Sequence, residues 1–130
     1  MREGMPLLRK WFGLSLVFLM IASSVLTGCS SEKVIKIGFV TEQTGVESYI
    51  GQATIPALQD YIDEINNEGG IGGYKLKLIT YDTRSEVTDA VSVTKRLIDQ
   101  DGVVGIVGPS WSAAGIPMAE IANSKKVVIV

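Results

Sequence analysis

Ser110, Trp111 and Ser112 place two hydroxyls and an indole just behind an apolar run, Val103-Val104-Gly105-Ile106-Val107, from which Gly108 and Pro109 separate them. The run has no polar alternation, the pattern of a strand covered on both faces. Proline cannot donate to a neighbouring strand and glycine accepts turn geometry, so the ladder stops there. Ser112 then stands where it can cap the helix expected from about residue 112 to 124. Small and hydroxyl residues at a helix N-terminus leave backbone N–H groups and the positive end of the helix dipole at one point. Such a point holds a carboxylate or another anion. Ser48 and Tyr49 supply further polar contacts from the loop 41–51.

Four strands must position these groups. Residues 33–40 alternate and then saturate with Val34, Ile35, Ile37, Phe39 and Val40, giving a first strand. Ala57, Leu58, Tyr61, Ile62 and Ile65 recur at helical spacing, with Asp60, Asp63 and Glu64 opposite. Pro56 fits only a first turn, since a mid-helix proline costs about 3 kcal/mol, so the helix is expected to start close to it. Gly69-Gly70-Ile71-Gly72-Gly73 ends that helix. Residues 74–81 alternate again, with Tyr74, Leu76 and Leu78 inward, as a second strand. After the polar turn 82–86, Thr83 and Glu86 have capping-box spacing. Val87, Ala90, Val91, Thr94, Leu97 and Ile98 then make an apolar helical stripe ending near Gly102. Residues 127–130 begin a fourth strand.

Strand and helix alternate throughout, which calls for an α/β fold with a doubly wound parallel sheet and right-handed crossovers. Ligands of such sheets bind outside the carboxyl ends of the strands, where strand order reverses. The loops 41–51, 82–86 and 108–112 fall there. The plainer reading makes their polar residues caps and turn formers, Asp82 among them.

The chain has 130 residues, 46% hydrophobic and 20% charged, enough to bury a core. Residues 1–28 look like a targeting peptide: Arg2, Arg9 and Lys10 form a basic start, and residues 11–25 are mostly apolar but too short to span a bilayer. Leu26-Thr27-Gly28-Cys29 has the pattern of a bacterial lipobox, whose cysteine is lipidated and becomes the new N-terminus. Residues 29–33 are then a lipid-anchored tether, attached to the membrane through Cys29, and residues 34–130 the folded lobe. Cys29 is the only cysteine, so neither an internal disulfide nor a thiolate metal cluster is available. Without residues 1–28 the chain keeps nine of its 12 basic and thirteen of its 14 acidic residues, a net charge of −4. No basic run with interleaved aromatics supports nucleic-acid binding.

A set of residues carries a resemblance. Ile35-Lys36-Ile37-Gly38, Thr44-Gly45, Glu64-Ile65-Asn66-Asn67-Glu68-Gly69-Gly70-Ile71 with Gly73 and Leu76, Asp82, Ala90-Val91 and Val107-Gly108-Pro109-Ser110 stand in an order and at intervals similar to those of the solute-binding lipoproteins of branched-chain amino acid ABC transporters. The resemblance implies a two-lobed fold that closes on an amino acid or a similar small polar solute. Its partners would be the permease subunits of an ABC importer, and no cofactor is implied. The present chain would be the first part of lobe one. Ser112 aligns with the family's serine that binds the α-carboxylate. Many members have an aromatic residue just before the glycine matching Gly51, where this chain has Ile50 and, one place earlier, Tyr49. The ligand-binding set expected is therefore Ser112, Ser110, Trp111, Tyr49 and Ser48.

Enzyme readings fare poorly. Gly108-Pro109-Ser110-Trp111-Ser112 superficially resembles a nucleophile elbow, but it ends in serine where glycine is needed, and the chain has no histidine. A phosphoacceptor receiver domain needs an acidic cluster after the first strand, where Glu42 is a lone acid. Two alternatives to an importer component stand beside it: a sensory module of the same fold, and a truncated, nonfunctional remnant, since the chain stops inside an apolar strand.

Overall fold

The computed structural model describes residues 32–130. The expected leader 1–28 and lipidation site Cys29 lie outside the described residues. The elements run β1 (Val34–Thr41), α1 (Ser48–Asn67), β2 (Lys75–Asp82), α2 (Val87–Arg96) with a π turn (Leu97–Asp101), β3 (Gly105–Val107), α3 (Ser112–Ser124) and β4 (Val128–Ile129). All strand pairs are parallel, in the order β2-β1-β3-β4. The chain first steps from β1 to β2 and then back across β1 to β3, so order reverses between β1 and β3. Right-handed crossovers put α1 on one face and α2 with α3 on the other. In keeping with this, α2 packs on α3 while α1 packs on β2.

Alternation along β1 serves both faces. Val40 joins Ala90, Leu97, Val103, Ile106, Ala114 and Met118 in one buried cluster beneath α2 and α3. Gly38, two residues earlier, lies under Leu97: a Cβ there would come within 2.7 Å of Leu97 Cδ1, so glycine lets the π turn sit down on the strand. Phe39, Leu76 and Ile62 are buried as well. The first half of β1 is exposed or half-buried and the second half fully buried, so the strand is anchored most firmly where it delivers its carboxyl end.

The first helix departs from expectation. It begins at Ser48, eight residues before Pro56, which lies inside it. The buried stripe explains why: Gly51, Ile55, Leu58, Ile62 and Ile65 face inward on both sides of the proline, while Pro56, Ala57 and Tyr61 are exposed. Tertiary packing on either side outweighs the one backbone bond that proline removes. At its far end, Asn66 pairs with β2 like an extra strand residue, donating from Nδ2 to Leu76 O (2.8 Å) and accepting from Leu76 N (2.7 Å). Tyr74, expected inward, is exposed. The Thr83–Glu86 capping box does not form, because the helix is capped at Glu86 without a side-chain bond. Thr83 Oγ1 instead accepts from Ser85 N (3.3 Å), within a turn that holds Arg84 and Ser85 at positive φ.

Candidate functional site at the carboxyl ends of the strands

The loops leaving β1, β2 and β3 meet at one rim, and two acids organise it. Asp82, the last residue of β2, faces the loop after β1. Its Oδ1 accepts from the amides of Gln43 (2.8 Å), Thr44 (3.1 Å) and Arg84 (2.8 Å), and its Oδ2 from Thr44 Oγ1 (2.6 Å). Partial burial alone would raise the pKa of this carboxyl. The hydroxyl of Thr44 and the three amides outweigh burial and hold it below the ordinary carboxylate value. Ser85 adds to the seam, accepting from Glu47 N (3.2 Å) and donating to Thr44 O (3.3 Å). On the outer side of the turn, the hydrogen bond from Arg84 depresses the Asp89 carboxyl (2.6 Å).

Glu42 is the second acid. It directly follows β1, is 0% exposed, and accepts from Ser110 Oγ (2.9 Å) through Oε2. Its Oε1 is buried without a hydrogen-bond partner. Ser110 comes from the loop after β3, so this bond bridges the point where strand order reverses. Two glycines make room for it. A Cβ on Gly51 would stand 2.3 Å from Glu42 O, and one on Gly108, at φ +99°, would stand 2.2 Å from Val40 O. The amide of Gly51 also donates to Glu42 O (3.2 Å), locking the start of α1 to the end of β1.

The third strand's loop gives a correction. Ser112 does not cap α3: the cap position is Trp111, with extended backbone and no side-chain bond, and Ser112 is the first helical residue. The first bond of the helix runs from Gly115 N to Trp111 O (3.1 Å), which leaves the amides of Ser112, Ala113 and Ala114 without intrahelical acceptors. No acid sits in that first turn. The positive end of α3 is therefore open, with the Ser112 side chain exposed beside it. Helix α1 differs, its Ser48 amide being taken by Gly45 O (3.3 Å).

Of the expected site residues, the structure brings Ser110 and Ser112 to the rim, both exposed. Trp111 packs against the core cluster, with a buried and unpartnered indole nitrogen. Ser48 and Tyr49 belong to the first turn of α1 rather than to a loop; Ser48 is half-buried and Tyr49 is 68% exposed. Glu42 is the residue that sequence reasoning passed over as a lone acid. Its signal was its position directly behind an apolar strand, where a charged side chain is exposed only if the loop turns outward.

Residues 34–130 match the periplasmic binding protein family. An amino acid binding protein of Pseudomonas aeruginosa is 31% identical over 114 residues, covering 86% of this chain and 30% of that protein. A Leu/Ile/Val-binding protein of Rhizobium johnstonii is 32% identical over 96 residues, covering 74% and 26%. Among solved structures, the branched-chain amino acid transporter substrate binding protein LivJ of Streptococcus pneumoniae, in complex with isoleucine, superposes with a TM-score of 0.71 and 37% identity over 75% of this chain and 28% of that one. The chain thus spans 30% and 26% of the lengths of these two curated relatives. The parallel sheet wound with helices on both faces matches the type I fold of these proteins, and the chain belongs to the periplasmic binding protein family.

Proposed function

We propose that this chain forms part of lobe one of an extracytoplasmic receptor for an amino acid of branched-chain type, which hands its solute to an ABC permease. The observation that carries the reading is the open N-terminus of α3 at the β1/β3 reversal, with Ser112 exposed on it. Unpaired amides, a hydroxyl donor and the helix dipole there suit the α-carboxylate of an amino acid. The relatives named for binding amino acids support the choice of solute. In this reading Ser112 and the amides that follow it hold the carboxylate. Ser110 flanks it, Trp111 braces the loop from below, and Tyr49 with Ser48 forms a side wall. Closure of a second lobe would dry the cleft and strengthen these bonds. Lipidation of Cys29 would tether the receptor to the outer face of the membrane through the segment 29–33. The test is a thermal-shift screen of the two-lobed, full-length protein against the common amino acids. Leucine, isoleucine or valine should raise Tm by several degrees, as expected when a ligand binds only the native state. A screen in which no amino acid moves Tm would defeat the reading.

A further inference from the structure

Strand β2 is the outermost strand of the described sheet, so one of its edges has no described strand beside it. Its odd-numbered residues turn their backbone groups toward β1: Lys75 N donates to Lys33 O (2.9 Å), and just past the strand Thr83 N donates to Thr41 O (3.0 Å). Leu76, Leu78, Thr80 and Asp82 therefore point their N–H and C=O groups outward. Among the described residues, those of Leu78 and Thr80 meet no partner. Leu76 is the exception, because the Asn66 side chain donates to its carbonyl (2.8 Å) and accepts from its amide (2.7 Å). A carboxamide presents a donor and an acceptor side by side, as a residue of an adjoining strand would. Lys75 Nζ donates to Asn66 O and pins the end of α1 in that place.

We propose that Asn66 is an edge guard: it takes the place of a neighbouring strand at Leu76 and so keeps β2 from pairing with a second copy of this chain. An open strand edge is a ready template for such pairing. A second copy fits because the edge is self-complementary. An antiparallel arrangement with its two-fold axis at Ile79 sets Leu78 opposite Thr80, Lys77 opposite Tyr81, Leu76 opposite Asp82 and Lys75 opposite Thr83. No like charges stand directly opposite in that register, so charge does not forbid it. Leu78–Thr80 and Leu76–Asp82 would be the hydrogen-bonded pairs, each occurring twice by symmetry. With Asn66 seated on Leu76 in both copies, half of that ladder is unavailable, and the end of α1 stands where the partner strand must lie. None of this depends on which solute the cleft takes.

Light scattering on the full-length protein and its variants, over a wide range of concentration, tests it. The unaltered protein should stay monomeric, as should Asn67→Ala, a change at the exposed neighbour. In Asn66→Ala, and in Asn66→Ser, whose hydroxyl is too short to reach both backbone groups, the apparent mass should double as concentration rises. Adding Thr80→Pro, which removes an outward N–H and no bond to β1, should return both variants to monomers. Hydrogen exchange followed by NMR on the unaltered protein should find the Leu76 amide protected and those of Leu78 and Thr80 exchanging rapidly, a readout that stands even where a variant does not fold. Variants that melt cooperatively yet stay monomeric would overturn the proposal. So would association that Thr80→Pro leaves intact, or a Leu76 amide that exchanges as fast as that of Leu78.

Discussion

Asp82 and Glu42 end neighbouring parallel strands, yet the fold uses them in opposite ways. Asp82 accepts four hydrogen bonds, three from backbone amides, and has little capacity left for anything else. Glu42 accepts one and keeps a buried oxygen unpartnered. The β1–β2 half of the rim is a closed seam, and the β1–β3 half is left open at the reversal of strand order. An acid's unused hydrogen-bonding capacity, more than its charge or position, separates the side chain that closes this rim from the one that stays incompletely bonded beneath it.

The largest effect should come from disturbing the backbone that seats Glu42. Gly51→Val would drive a side chain into Glu42 O and should lower stability by about 3 kcal/mol or prevent folding, as read by urea denaturation. Gly72→Ala makes a control at the other end of the sheet: φ is positive there, unlike at the helical Gly51, but a Cβ meets nothing within 4 Å, so only about 1 kcal/mol should be lost. If both substitutions cost the same, close packing at the rim has been overstated.

Next in size is Asp82→Ala, which strands the amides of Gln43, Thr44 and Arg84. It should cost about 2 kcal/mol of stability and leave leucine affinity nearly unchanged. A large loss of affinity with little loss of stability would erase the contrast with Glu42. The same carboxyl sets a pH dependence. Its folded pKa lies below the ordinary carboxylate value, so its contribution is fully present above that ordinary value and is lost as pH falls through the lower, folded one. Tm should therefore decline as pH is lowered from about 5 toward about 2, and Asp82→Asn should flatten the decline. The smallest effect belongs to the exposed Arg84–Asp89 pair: Arg84→Ala should leave Tm unchanged within experimental error.

Much of this was legible in the residues. The apolar runs ending in Val40 and Val107 and the Gly–Pro break after the latter located the strands, and their alternation with helical stripes fixed the parallel, doubly wound topology. Helix α3 lies over the residues expected. Where α1 begins was not legible, because a single proline is a strong local signal whereas the burial of Gly51 and Ile55 exists only once the sheet does. The cap assigned to Ser112 failed by one position, a shift that depends on the extended backbone of Trp111. Glu42 was hidden for a deeper reason: the loops 41–51 and 108–112 were expected on one rim, but nothing in the sequence pairs Glu42 with Ser110, 68 residues away.

The claim on which everything else turns is that the open end of α3 receives a carboxylate through Ser112. Calorimetric titration of the full-length protein and its Ser112→Ala variant with L-leucine tests it. Affinity should fall about tenfold in the variant with Tm of the unliganded protein unchanged, since Ser112 makes no capping bond whose loss would destabilise the helix. Equal affinity in the two proteins would contradict it.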